Sequence, residues 1–153
     1  MGTESPERFV GFGAAVVSPS TGTVVIAHDG EDDHEARRSQ LTLFSYMAGQ
    51  ARRVRRGAGA IAGNHVVIAL RREGPFVAVA HLHRDSVCVE VGDVVEAGQT
   101  IGQVGNSGNS TQPHVHVQAT DSTHWSRARG IPIAFETPMG VELPSESQII
   151  LVP

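Results

Sequence analysis

Two histidines one residue apart, His114-Val115-His116, follow the polar loop Gly105-Asn106-Ser107-Gly108-Asn109-Ser110-Thr111-Gln112. On a strand, side chains two positions apart share a face, so the two imidazoles would stand side by side. Neutral imidazole binds metal ions and accepts protons near neutral pH. One ring can then bind zinc while its neighbour handles a proton, or both can bind one metal. Alternation equally permits two histidines on a solvent face. A second pair, His81-Leu82-His83, ends the hydrophobic run at residues 76–82. Val77 and Val79 share the alternation of His81 and His83, so that face starts apolar. There His81 reads either as a satisfied core residue or, where it meets the other pair, as a site with a shifted pKa.

The remaining histidines carry weaker signals. His28-Asp29 sits in a turn, His34 lies among acids, His65 begins a strand, and His124 stands beside Trp125 in a polar loop. Each is expected to be a surface or capping residue. Cys88, flanked by alternating valines, is expected to be a small buried or half-buried apolar residue. As the one cysteine of the chain it excludes an internal disulfide and any multi-cysteine zinc site.

The elements that must position these residues are mostly strands. Ala14-Ala15-Val16-Val17, a turn at residues 18–22, and Thr23-Val24-Val25-Ile26-Ala27 read as strand, turn and strand. Residues 65–70 and 76–82 flank Arg71-Arg72-Glu73-Gly74-Pro75 as a hairpin. The runs 86–91, 94–99 leading into 100–104, and 114–118 read as further short strands, separated by glycine turns. One helix is expected from about Asp33 to Arg56, from acidic residues at its start, helical apolar spacing at Leu41, Phe44, Ala51 and Val54, and arginines in its last turn. The arginine cluster reads as a solvated helix end, with contact to an anionic polymer or a protein as the functional alternative. The tail over 119–153 is expected to be irregular, with residues 149–152 as a possible last strand or docking segment.

Composition bounds the rest. The 153 residues fit one domain over 1–153, large enough for a core. The formal charge is −4, which argues against nucleic-acid binding through bulk positive charge. No apolar run approaches the length of a membrane span, and the polar start carries no export signal. All 12 basic residues are arginine, so no lysine is present to carry lipoyl or biotin. The turns around Val91-Gly92-Asp93 and Gly98-Gln99 otherwise suit a carrier or sugar-phosphotransfer domain. A phosphohistidine role for His81 or His114 lacks a motif of its own.

Taken in order, Gly63-Asn64-His65-Val66-Val67-Ile68, Ala80-His81-Leu82, Val91-Gly92-Asp93 through Thr100-Ile101-Gly102, and Gly105-Asn106-Ser107-Gly108 through His114-Val115-His116-Val117 closely resemble the LytM/lysostaphin-type M23 peptidases. The core of the resemblance spans 13–118, with residues 31–62 as a helical insertion. It implies a mostly β fold, an antiparallel β sandwich or barrel-sandwich hybrid of the duplicated-hybrid-motif type. It implies a zinc metalloendopeptidase that cuts peptide cross-bridges in peptidoglycan, in a family often found outside the cell or in its envelope. His116 takes the place of the zinc ligand, and His81 and His114 those of the residues that orient or deprotonate water and stabilise the oxyanion.

The chain departs from the family in two places. The family draws two more zinc ligands, a His and an Asp four residues later, from a strand preceding the segment that matches Gly13-Ala14-Ala15-Val16-Val17. Residues 1–11 hold no His or Asp, only Glu4 and Glu7. His28, Asp29, Asp33 and His34 come after the strand that should follow the ligands. Either the natural start lies upstream, or the domain keeps the fold without the metal and binds a cell-wall peptide or a protein partner. The smaller departure is Val79, where the family often has Tyr.

Overall fold

The structure is a computed structural model that describes residues 3–37, 58–143, 145 and 149. Its centre is a six-stranded antiparallel sheet, in the order β10-β9-β6-β5-β3-β7. The strands are β3 (Gly22–His28), β5 (Asn64–Ala69), β6 (Phe76–Leu82), β7 (Val94–Val95), β9 (His116–Thr120) and β10 (Gly130–Ile131). A second, two-stranded layer pairs β2 (Ala15–Val17) with β8 (Thr100–Gln103). β1 (Thr3–Glu4) pairs with β4 (Ala36–Arg37), and β11 (Phe135–Thr137) with β12 (Gly140–Glu142).

Alternation explains the core. Val24, Val66, Val79 and Leu82 turn one face of the sheet toward Val16 of β2 and Ile101 of β8, and Ile68, Val89 and Val95 complete the cluster. The opposite face carries a row set by register: His28 pairs with His65, His65 with Ala80, and Ala80 with His116. Directly opposed residues of antiparallel strands share a face, so these four side chains cross the sheet together.

Two glycines bring the polar loop onto this sheet. Gly63 and Gly108 both take left-handed conformations, φ +64° and +67°, and their backbones touch. A Cβ on Gly63 would lie 2.5 Å from the Gly108 nitrogen, so only glycine allows the approach.

Three expectations are corrected. The helix foreseen from Asp33 to Arg56 is absent from its described part. Residues 33–35 are irregular and Ala36–Arg37 is a strand, while 38–57 lie outside the described residues. The Asp33 carboxylate does not cap a helix. It accepts hydrogen bonds from the backbone N–H groups of Arg84 and Asn106. The described helix, α1 (Ala58–Ala62), begins after the foreseen end. The tail is not wholly irregular: β9 continues to Thr120, β10 extends the main sheet, and β11 and β12 form a hairpin. At its turn Thr137 Oγ1 accepts from Met139 N and donates to Gly140 O. Ile149 lies in no strand, and 150–153 are outside the described residues. Finally, residues 86–90 form no strand ladder, and Cys88 is exposed, its N–H donating to Ile101 O.

Candidate active site

His81 decides the geometry of the site. Strict alternation would put it in the core with Val79. Instead the β5–β6 register shifts between Asn64 and His65, and His81 adopts φ +64°. This is a β-bulge: Ala80 and His81 both face the outer side of the sheet, and Leu82 returns to the core. The shared face with Val77 and Val79 expected from the sequence is therefore overturned. A left-handed conformation costs a non-glycine residue about 1–2 kcal/mol. The Gly105 N–H bond to His81 O and the His81 ring bond to Ser107 O hold it there.

Three imidazoles converge. The centroid of the His81 ring lies 4.9 Å from that of His114 and 6.2 Å from that of His116. β9 begins only at His116, so His114 reaches the site from the end of the polar loop rather than from a strand. The ring of His81 is buried, and those of His114 and His116 are exposed. His81 Nδ1 lies 3.0 Å from the Ser107 carbonyl. A carbonyl only accepts, so Nδ1 carries the proton and Nε2 keeps its lone pair. His114 Nδ1 lies 2.8 Å from Gln112 O, so Nδ1 donates there and Nε2 is the nitrogen left toward the site. His116 Nε2 lies 3.2 Å from Gln118 Oε1. His83 takes no part, for its Nδ1 is bound to Asp33 Oδ2 and its ring meets Phe12 edge-on.

Burial, opposed in part by the Ser107 bond, lowers the His81 pKa to about 4, and the neighbouring His114 and His116 push it the same way. His81 is therefore neutral at pH 7. An unfolded chain holds its proton up to about pH 6.5, so between about 4 and 6.5 the unfolded state binds more protons. Stability is then full above pH 6.5 and falls as pH drops toward 4. Allowing for solvent screening, the loss amounts to about 2 kcal/mol. Urea unfolding of the chelator-treated chain at pH 7.5 and 4.5 measures it. His81→Asn, which tolerates the left-handed backbone, is expected to flatten the difference; an unchanged difference assigns it elsewhere.

His81 and His116 border a groove of about 430 Å³. Ala78 and Ala80 form its floor, with Gln118 and Thr120 of β9 beside them and Ile61 of α1 and Trp125 among its walls. His65 was expected at the surface. It is buried instead, with its Nδ1 2.6 Å from Gly63 O. Its ring packs between His28 and Trp125, at 5.3 and 5.1 Å. Burial lowers its pKa, against the Gly63 bond, and His28 adds to the lowering. Sequence reasoning missed Trp125 as a groove residue and His65 as the buried ring packed against it. Being the one tryptophan of the chain was the only signal Trp125 offered.

A mostly antiparallel β domain that gathers imidazoles at a groove has the architecture of the lysostaphin-type catalytic domains. The lysostaphin catalytic domain from Staphylococcus simulans superimposes with a TM-score of 0.51 and 26% identity, over 80% of this chain and 70% of that one. The chain belongs to peptidase family M23, whose sequence pattern matches residues 8–127. Glycyl-glycine endopeptidase ALE-1 of Staphylococcus capitis is 38% identical over 55 residues, 36% of this chain and 15% of that protein. Peptidoglycan DD-endopeptidase ShyA of Vibrio cholerae serotype O1 is 40% identical over 57 residues, 37% of this chain and 13% of that protein. The matched stretches thus span under a sixth of these relatives.

The family is generally zinc-dependent. The residues present do not make a zinc site. Among the described residues no three His, Cys, Asp or Glu side chains group so as to hold a metal. Outside them the sequence adds only Glu146. A zinc site needs three or four protein ligands, and His116 offers one.

Proposed function

We propose that this chain is an M23-type domain that hydrolyses peptide bonds in peptidoglycan cross-bridges, with His81 and His114 handling protons and His116 standing in the place of the family's metal ligand. The convergence of these three rings, with His81 and His116 lining the groove, carries the reading. Hydrolysis needs a base that takes a proton from the attacking water and an acid that returns one to the leaving amine. His81 and His114 each offer an Nε2 lone pair for the first task, and the resulting imidazolium serves the second. The names of the peptidoglycan endopeptidases similar to this chain support the substrate. The formal charge of −4 weighs against a nucleic-acid partner, and no described helix is long and apolar enough to cross a membrane.

One observation favours a second reading, a domain that binds cell-wall peptide without cutting it: the described residues supply no complete metal cluster. Zinc content after dialysis against the metal, together with cleavage of pentaglycine and of cross-linked muropeptides, separates the two. Cleavage that is lost in His114→Ala and in His116→Ala is the result expected from the first reading. Peptide binding without zinc or cleavage, indifferent to chelator and to His116→Ala, selects the second reading. A chain that neither cuts nor binds rules out both.

A further inference from the structure

We infer that Trp125, held in place by His65, is the specificity-determining wall of the groove, restricting the peptide residue over Ala78 and Ala80 to a small, uncharged side chain. This rests on the reading of the groove as a peptide site.

Three observations carry it. First, Trp125 is mounted rigidly. Its loop is closed by a reciprocal pair, Asp121 N–H to Arg129 O at 3.1 Å and Arg129 N–H to the Asp121 carboxylate at 2.8 Å. Inside it the His124 carbonyl accepts from the N–H groups of both Arg127 and Ala128. The half-buried indole lies against His65, whose own ring is fixed by Gly63 O and backed by His28. Second, the floor is small where its neighbours are large. In the cross-strand row, Ala80 stands between His65 and His116. The gap above its methyl group is the space a substrate side chain takes, and the indole limits its width. Third, among the described residues no Asp, Glu, Arg or Lys lines the groove. A charged substituent entering it would lose hydration with no counter-charge to replace it.

The single tryptophan of the chain makes the test direct. Peptides Gly-Gly-X-Gly-Gly, with X as Gly, Ala, Leu or Glu, are titrated by calorimetry and by indole emission into the full chain with chelator present. The Gly and Ala peptides are expected to bind and shift the emission, with Leu and Glu at least tenfold weaker. In Trp125→Ala, followed by calorimetry alone, the discrimination against Leu is expected to fall below threefold. His65→Ala should lose that discrimination, and His65→Phe, which restores a flat ring under the indole, should recover it. Should Trp125→Ala fail to fold, Trp125→Leu removes the width of the ring and is read in the same way. Equal discrimination in the parent and the Trp125 variants, or a bound peptide that leaves the emission unchanged, overturns the inference while the peptide-site reading stands. Absence of calorimetric binding by every peptide overturns the peptide-site reading, and this inference with it.

Discussion

Changing His114 to alanine is expected to lower hydrolysis of a cross-bridge peptide by about 10²–10⁴-fold, the usual contribution of a positioned acid–base group. The loss should fall on kcat with little change in KM, because the proton is transferred only in the transition state. His114 suits the experiment because little of the fold leans on it. Its ring is exposed, and its Nδ1 contacts only Gln112 O and Ser110 Oγ within its own loop. Stability should stay within about 0.5 kcal/mol of the parent, as for most surface changes. His81 is a less clean target. Alanine there leaves Ser107 O without its ring donor and places an ordinary residue in a left-handed conformation. Steady-state rates paired with urea unfolding test the prediction in a preparation that turns over. A rate within threefold of the parent removes His114 from proton handling.

Asn64→Leu is expected to destabilise the domain by about 3 kcal/mol although the two side chains share the same branched heavy-atom skeleton. Asn64 is fully buried at the start of β5. Its amide nitrogen donates to the carbonyls of Glu31 and Leu82, at 2.8 and 3.1 Å, and its oxygen accepts from Glu31 N at 2.8 Å. Each such bond contributes about 1 kcal/mol, and a buried group left without its partner costs more. Leucine keeps the branched skeleton and leaves no cavity, so the loss reports the broken hydrogen bonds together with the bulk of its two methyl groups. The segment tied down by Asn64 runs on to Asp33, which anchors Arg84 and Asn106. The damage should therefore spread toward the polar loop that carries Ser107. The shift in urea midpoint measures the effect, and a loss below about 1 kcal/mol would show that solvent replaces these bonds.

Much of the fold was legible because it is built from local rules. Alternating valines mark the core face at residues 24, 66 and 79. The turn at Arg71-Arg72-Glu73-Gly74-Pro75 sets up the β5–β6 hairpin, where Leu70 N–H meets Pro75 O. The foreseen helix failed at its start because an acidic residue before an apolar pattern has more than one use. Asp33 binds backbone fifty and more residues away, and no window along the chain records that.

By itself the sequence determined which chemistry is available: histidines in two close pairs, no lysine for a carrier domain, and a single cysteine. It also determined that His114 and His116 stand close together, since two residues along an extended chain can do little else. Tertiary structure decided where that chemistry is used. His81 joins the pair only because a bulge, defined by its register against β5, rotates it out of the core. His65 becomes the plate beneath Trp125 only because strands β3, β5 and β6 align its row, and a loop sixty residues later closes over it. Alternation belongs to one strand and can be read along it. Register and bulges belong to pairs of strands, and only their pairing fixes which face a side chain takes.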